Sequence, residues 1–290
     1  MRFVVLPDLH FCEYPLGSLR KIRDEFYLRL FRTVKKFEPE LVFLAGDASH
    51  NSHPDEFNGL RTCARRAGIE QLYLANGNHD LWRMSRREVA YYTSNPSPSY
   101  YAIDPVVERT IAGLSSTRKT GKFLVLDTST PRHCADTRGK VDQEQLDWLS
   151  QQLASTPNGP VFVIAHHPLS ELIHRKRISD FHITNSNEVL EILESWRKGP
   201  GFYFCGHTHT HRLVRRDNWL LVQLNAPLNC LNFPVIEVNS NEVQLSFTRI
   251  EGGEETARMS RLLALVQNHI TGFYPRRDIP GYRKKITVEW

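Results

Sequence analysis

Five apolar runs in this 290-residue chain each end in a short motif that contains Asp, Asn or His. In chain order, the motifs are Asp8-Leu9-His10, Gly46-Asp47, Gly77-Asn78-His79-Asp80, His166-His167-Pro168 and Gly206-His207-Thr208-His209. The preceding runs are rich in β-branched and aromatic residues and have the length of buried strands. Because ligand sites of open α/β sheets lie beyond the carboxyl ends of the strands, we expect the five motifs to converge.

The donors in these motifs suit a transition-metal cation. Residues two apart in extended backbone point to the same side, so Asp8 and His10 can serve one centre, as can His207 and His209. Carboxylate oxygens together with imidazole nitrogens favour Zn, Mn or Fe over Ca or Mg, and no thiolate joins the set as in a structural zinc site. The first, second and fourth motifs are each common at solvated turns, whereas GNHD is more specific and GHTH after an apolar strand is unusual. The ordered set of five predicts a metal centre.

Segments with helical periodicity separate several of the predicted strands. We predict helices over 17–37, 55–67, 142–154 and 187–196, because apolar residues recur there at helical intervals. Strands that alternate with helices predict βαβ units and a largely parallel inner sheet. The stretch 213–247 shows strand patterns and turn residues but no convincing helix, which predicts an antiparallel second half. We assign residues 1–250 to a catalytic domain, and 251–290 to an extension with a helix at 254–269 and a basic tail.

The composition is that of an ordinary globular protein and excludes several classes. Charged residues make up 24% and hydrophobic residues 40%, which argues against disordered, collagen-like and coiled-coil chains. No apolar stretch reaches the roughly 18 residues of a membrane span, and Asp8 interrupts the first run too early for a secretion signal, so we expect a cytoplasmic protein without membrane contact. Five scattered cysteines predict reduced thiols. A net charge of +5 does not require polynucleotide binding.

The ordered motifs resemble the signature of the calcineurin-like metallophosphoesterase superfamily, which is DxH, GD, GNH(D/E), H and GHxH. The resemblance covers residues 8–209 and implies an α/β fold, a four-layer α/β/β/α sandwich of two mixed β-sheets flanked by helices. It also implies two divalent or trivalent metal ions, which are Mn, Fe or Zn. The implied ligands are Asp8, His10 and His209 for one metal, Asn78, His166 and His207 for the second, and Asp47 as the bridge.

The resemblance extends to residues beside the ligands. His79 corresponds to the family's general acid or donor to the phosphoryl oxygens. Asp80, the second candidate catalytic residue, is expected to orient His79 or to shape the turn, or else simply to cap the following segment. The frequent family form GDxxxD has an acid where this chain has His50, which is either an imidazole that tunes the site or a polar loop residue. The Tyr of purple acid phosphatases and the DRG and GNHE motifs of Ser/Thr phosphatases are absent.

Further segments are similar to the class III cyclic nucleotide phosphodiesterase and glycerophosphodiesterase group. These segments are Phe123 to Ser129, Gly139 to Leu149 with Asp142 as a helix N-cap, and the strand that ends in His166-His167-Pro168. We therefore predict a dinuclear metal-dependent phosphodiesterase that hydrolyses a small phosphodiester, such as a 3′,5′-cyclic nucleotide, by metal-hydroxide attack. The alternatives are a phosphomonoesterase, a nuclease or a non-catalytic scaffold.

Substrate and partner contacts are predicted from residues near the motifs. Arg83 and His167 are the candidate substrate contacts. Tyrosines at 91, 92, 100 and 101 and the basic stretch 174–177 either contact substrate or belong to the core and solvated loops. The basic extension could serve as a homodimerisation arm or a lid.

Overall fold

The computed structural model describes residues 1–111, 114–119, 121–130, 137–173, 181–271 and 285–290. The strands are β1 (Arg2–Leu6), β2 (Leu41–Leu44), β3 (Tyr73–Leu74), β4 (Tyr101–Ile103), β5 (Val106–Ile111), β6 (Leu114–Lys119), β7 (Lys122–Val125), β8 (Val161–Ile164), β9 (Gly201–Cys205), β10 (Arg212–Arg216), β11 (Trp219–Gln223), β12 (Asn232–Val238), β13 (Glu242–Arg249) and β14 (Ile286–Glu289). The helices are α1 (Gly17–Lys35), α2 (Pro54–Arg66), α3 (Arg86–Ala90), α4 (Gln143–Ser155), α5 (Ser186–Glu194), α6 (Pro227–Cys230) and α7 (Gly253–Thr271).

Two six-stranded sheets form the centre of the fold. The first has the order β14-β13-β12-β1-β2-β3 and the second the order β10-β11-β9-β8-β7-β4. In the first sheet β1 is parallel to β2 and antiparallel to β12. In the second sheet β8 is parallel to both β7 and β9, whereas β4 is antiparallel to β7. Both sheets are therefore mixed, and β5 and β6 form a separate hairpin.

Alternate residues of the inner strands divide the apolar core into layers. In β1, Phe3 and Val5 belong to the core between the sheets, whereas Val4 and Leu6 belong to the core shared with α1 and α2. The second sheet likewise contributes one face to the inter-sheet core and the other to a cluster with α4 and α5. The resulting order of helices, sheet, sheet and helices confirms the predicted four-layer sandwich.

The four helices predicted in the first 200 residues are present as α1, α2, α4 and α5. Asp142 caps α4 as predicted, because its side chain accepts a hydrogen bond from the backbone N–H of Gln145 at 2.9 Å. The elements α3, β4 and the β5–β6 hairpin were not predicted. None of the helices in the described ranges is both long and apolar enough to cross a lipid bilayer.

The prediction for residues 213–247 was only partly right. The pairs β10–β11 and β12–β13 are antiparallel as predicted, but β11 also pairs in parallel with β9. Strand β11 lies between β9 and β10 in this mixed sheet, and it is buried along its whole length because apolar clusters cover both of its faces. Its continuous apolar run therefore does not indicate an antiparallel neighbour on both sides. The short helix α6 interrupts the stretch and begins with Pro227, a residue favoured in a first turn.

The residues after β13 are built into the same fold. Helix α7 confirms the helix predicted at 254–269 and packs against α1 and α6. Strand β14 pairs antiparallel with β13 and extends the first sheet. Residues 272–284, which include most of the predicted basic tail, lie outside the described residues, and the role of the extension as an arm or lid stays a prediction.

Candidate metal centre

All five motifs lie at the carboxyl ends of their strands, where backbone hydrogen bonds join the loops. The N–H of Asp8 donates to the carbonyl of Gly46 at 3.0 Å, and the N–H of His10 donates to the carbonyl of Asp47 at 2.8 Å. Between the sheets, the N–H of His207 donates to the Asp8 carboxylate at 2.9 Å. The motifs therefore converge on one centre, as the sequence predicts.

Five of the predicted ligands have backbone conformations that are rare for residues with side chains. Their φ angles are positive: Asp8 +46°, His10 +45°, Asp47 +49°, His207 +73° and His209 +49°. Such conformations cost about 1–3 kcal/mol each and persist only where surrounding contacts enforce them. These strained conformations direct the five side chains into the centre, and contacts in the rest of the fold offset their cost.

Two glycines leave the space that the ligands need. Gly46 has φ of +81°, and a Cβ at this position would collide with the ring of His166. A Cβ at Gly77 would collide with the backbone nitrogen and the carboxylate of Asp47. The glycines of the GD and GNH motifs thus leave room for the neighbouring ligands, and Gly46 also takes a backbone conformation that favours glycine.

The donor atoms of Asp8, His10, Asp47 and His209 form what we call the first quartet. His10 Nε2 lies 3.2 Å from His209 Nε2 and 3.5 Å from Asp47 Oδ2. His209 Nε2 lies 3.6 Å from Asp8 Oδ1. These are the residues that the resemblance assigned to one metal and to the bridge.

The donor atoms of Asp47, Asn78, His166 and His207 form what we call the second quartet. His166 Nε2 lies 3.0 Å from Asn78 Oδ1, 3.0 Å from His207 Nδ1 and 3.4 Å from Asp47 Oδ2. Asp47 Oδ2 therefore contacts both quartets, which is the position expected of a bridging carboxylate.

The donor spacing and the donor types both fit metal cations. Oxygen and nitrogen ligands about 2.0–2.2 Å from one cation lie roughly 2.8–3.6 Å apart at tetrahedral or octahedral angles. The six donor separations given above for the two quartets, from 3.0 to 3.6 Å, lie in this range. Carboxylate, amide and imidazole groups are ligands for Mn, Fe and Zn.

The charges of the buried ligands also favour a cation at the centre. Burial lowers the pKa of His166, but the neighbouring Asp47 and Asp8 carboxylates outweigh this effect and raise that pKa to about 9. Burial raises the pKa of Asp8, and the negative charge of Asp47 adds to the rise. The two carboxylates therefore favour a positive charge between them. A metal ion would supply that charge in place of a proton.

His79 and Asp80 have different surroundings. His79 is half-buried, its backbone N–H donates to Asp47 Oδ1 at 2.9 Å, and its Nδ1 lies 2.7 Å from the carbonyl oxygen of His50. Asp80 is fully buried and accepts hydrogen bonds from the N–H groups of Ser49 and Gly77, both at 2.9 Å. Burial raises the pKa of Asp80 to about 7, and Asp47 adds to the rise. The Asp80 carboxylate therefore binds the backbone of the two loops, and its catalytic role stays a prediction.

The two predicted substrate contacts lie in unlike environments. His167 is fully buried against the rings of His166 and His207, and its Nδ1 lies 2.8 Å from Thr128 Oγ1. Arg83 is exposed, contacts His53 and stacks its guanidinium on Trp82, with 5.1 Å to the ring centroid. The role of either residue in substrate binding stays a prediction.

Most of the nearby tyrosines pack into the fold. The hydroxyl of Tyr101 donates to the Leu74 carbonyl, that of Tyr100 lies 3.1 Å from Glu144, and the ring of Tyr92 stacks on Phe57. Tyr91 is exposed. The basic stretch 174–177 lies outside the described residues.

Two contacts of the centre do not follow from the sequence, and a third agrees with one of the two alternatives for His50. Thr128 holds His167, His50 contacts the ring of His10, and the Gln267 side chain donates to the His10 carbonyl at 2.9 Å. Thr128 belongs to the segment 123–129, which resembles the phosphodiesterase group, and the contact of His50 with His10 favours the alternative of an imidazole that tunes the site. Gln267 follows no motif, because it lies in α7, far along the chain from its partner.

Comparisons with known proteins agree with this geometry. The family described as calcineurin-like phosphoesterase matches residues 1–211, a span that contains every predicted ligand. A probable cyclic nucleotide phosphodiesterase from a Synechococcus species is 25% identical over 229 residues, 79% of this chain and 80% of the relative. Glycerophosphodiester phosphodiesterase GpdQ from Enterobacter lignolyticus is 25% identical over 197 residues, 66% of this chain and 63% of the relative. A dimetal phosphatase from Danio rerio has the same fold, with a TM-score of 0.67, 13% identity and coverage of 87% of this chain and 96% of that one.

Proposed function

Because this chain belongs to the calcineurin-like phosphoesterase family and is a phosphoric ester hydrolase, we propose that it is a dinuclear metal phosphodiesterase acting on a small substrate such as a 3′,5′-cyclic nucleotide. The observation that carries the proposal is the pair of quartets that share Asp47 Oδ2. Two cations held there would supply positive charge that orients the phosphoryl group and activates a water for in-line attack.

His79 is the candidate proton donor to the leaving oxygen. Its Nδ1 faces the carbonyl oxygen of His50, so that nitrogen carries a proton and donates to the backbone. Nε2 is then the ring atom that faces the leaving alkoxide. It can act as the donor when the ring is an imidazolium: the Nε2 proton goes to the alkoxide, and a neutral ring with its proton on Nδ1 remains. The bond from the His79 N–H to Asp47 Oδ1 ties this donor to the bridging carboxylate.

An exposed aromatic ring beside the second quartet supports a substrate with an aromatic group. The ring centroid of Phe181 lies 5.7 Å from that of His207, and the residue is 39% exposed. A nucleobase could stack on this ring while its phosphate reaches the quartets. The relative from Synechococcus, named as a probable cyclic nucleotide phosphodiesterase, points in the same direction.

The test is hydrolysis by protein stripped of metal and resupplied with Mn, Fe or Zn. The substrates are bis(p-nitrophenyl) phosphate, p-nitrophenyl phosphate, 3′,5′-cyclic AMP and a glycerophosphodiester, and bound metal is counted by mass spectrometry. We expect two metals per chain and restored hydrolysis of the diesters, including the cyclic nucleotide. Hydrolysis of the monoester alone would identify a phosphomonoesterase, and cleavage of single-stranded DNA in parallel would favour a nuclease. Two bound metals without any turnover would favour the scaffold.

The aromatic preference has a separate test in Phe181. We expect Phe181→Leu to raise KM for cyclic AMP several-fold and to leave KM for a glycerophosphodiester unchanged, because only the first carries a base that can stack. Phe181→Trp should retain the KM for cyclic AMP. Trp290→Ala is a control, because Trp290 is also 39% exposed but directly follows β14, where its N–H donates to the Asn241 carbonyl, away from the centre. An equal rise for both substrates would contradict stacking.

A further inference from the structure

His50 is a buried imidazole that touches the centre without belonging to either quartet. Its exposure is 0%, and its Nδ1 lies 3.3 Å from Nδ1 of His10. The opposite nitrogen of His10, Nε2, faces His209 and Asp47 in the first quartet. The His10 ring therefore spans from the first quartet to His50.

The first quartet determines the direction of the hydrogen bond between the two rings. If Nε2 of His10 holds a cation, it carries no proton, so the proton of that neutral ring is on Nδ1. Nδ1 of His10 is then the donor and Nδ1 of His50 the acceptor. The reverse direction would leave the His10 proton on Nε2 and remove that atom as a ligand.

His50 also fixes the candidate proton donor. Its carbonyl oxygen accepts from Nδ1 of His79 at 2.7 Å, and the two rings stack with 5.4 Å between centroids. One residue thus contacts a metal ligand through its side chain and His79 through its backbone.

The position of His50 is set by its loop. The N–H of His50 donates to the Phe11 carbonyl at 3.1 Å, and the N–H of Phe11 donates to the Ala48 carbonyl at 2.9 Å. These bonds join the loop after β2 to the loop after β1. The two imidazoles are therefore held on adjoining, hydrogen-bonded segments of backbone.

We infer that His50 is a positioning residue that fixes the orientation and tautomer of His10 by accepting its Nδ1–H. The inference rests on the proposed function, because it requires a cation at Nε2 of His10. It gives this chain a neutral imidazole at the position where the frequent family form has an acid. Outer partners of this type orient metal-bound histidines, and their loss typically costs about 10–100-fold in metal affinity or activity.

The test compares His50→Leu, which removes the acceptor, with His50→Asn, whose amide oxygen can replace Nδ1. Metal affinity and stoichiometry are measured by calorimetry with Mn²⁺, and the absorption of the Co²⁺ form is recorded as a signature of ligand geometry. We expect His50→Leu to lower the affinity for one of the two cations by about 10–100-fold. The metal affinities of His50→Asn should stay close to those of the unchanged protein. His53→Asn is the control, because it removes an exposed imidazole from the same loop and keeps an N-cap residue at the start of α2.

The outcomes separate the inference from the proposed function. If the unchanged protein binds no metal, the proposed function fails. If it binds two and His50→Leu binds both with unchanged affinity and spectrum, the positioning role is wrong. Three metals in the unchanged protein and two in both His50 variants would overturn it in another way, because donor atoms of His10, His50 and His79 lie within 4.8 Å of one another and would then form a third site. Circular dichroism of the metal-free variants checks that both fold.

Discussion

His10 and His166 both lie next to Asp47 Oδ2, at 3.5 and 3.4 Å, but the far nitrogens of their rings meet different partners. Nδ1 of His166 faces the backbone carbonyl of Ala45 at 3.0 Å, whereas Nδ1 of His10 faces the ring of His50. A backbone carbonyl remains when side chains change. The second quartet is therefore supported by the end of a β-strand, and the first depends on a side chain that a single substitution removes.

The largest effect is expected from Asp47, which both quartets share. Asp47→Ala removes the oxygen that contacts His10 and His166, so both quartets lose a donor and a negative charge. We expect turnover to fall below detection and the affinity for both cations to fall, while the fold is retained. Kinetics and metal content measured on the same sample check this, and an Asp47→Ala variant with two tightly bound metals and normal turnover would rule out the bridging role.

The next effect separates proton transfer from metal binding on the His10 side. His79→Ala leaves every donor atom of both quartets in place, so we expect two metals per chain but a kcat about 10²–10⁴-fold lower for cyclic AMP, whose alkoxide needs a proton to leave. The loss should be much smaller for bis(p-nitrophenyl) phosphate, because p-nitrophenolate leaves without one. An equal loss for both substrates would contradict the role of His79 as proton donor.

The ligands and the contacts that support them differ in how well the sequence predicts them. The ligands could be predicted because each follows a strand within a few residues, and strand ends converge by the geometry of the sheet. The contact of His10 with His50 depends on hydrogen bonds between two loops, and that with Gln267 spans most of the chain. The positive φ angles of Asp8, His10 and Asp47 could not be predicted either, because residue type favours this conformation mainly for glycine.

A third prediction targets the His166 side through its backbone. Gly46→Ala places a methyl group against the His166 ring at a φ of +81°, so we expect the second quartet to be displaced and the free energy of unfolding to fall by about 1–3 kcal/mol. A shift of the ring by about 1 Å could lower kcat about 10²-fold. Thermal unfolding and metal titration measure both effects.

The control for this substitution is Gly253→Ala. Gly253 also has a positive φ, +55°, but a Cβ there meets nothing within 4 Å. This variant should lose stability through its backbone conformation alone and keep its affinity for both metals. If Gly46→Ala also keeps its affinity for both metals, the second quartet does not depend on the backbone beside His166.

The smallest effect is expected on the His10 side, at the contact from α7. Gln267→Leu removes the side-chain donor to the His10 carbonyl, so a buried carbonyl loses this partner, at a cost of about 1–3 kcal/mol. Because the His10 ring keeps His50 and its donor atom, we expect kcat to fall less than tenfold. Thr256→Val is the control: it removes a partly buried hydrogen bond, from Thr256 Oγ1 to the Glu251 carbonyl, at the other end of the same helix. Both variants should lose stability in thermal unfolding. Only Gln267→Leu should lower the metal affinity of the first quartet, measured by titration, because only this contact reaches the His10 loop. Equal metal affinity in the two variants would show that α7 stabilises the fold without helping to hold His10.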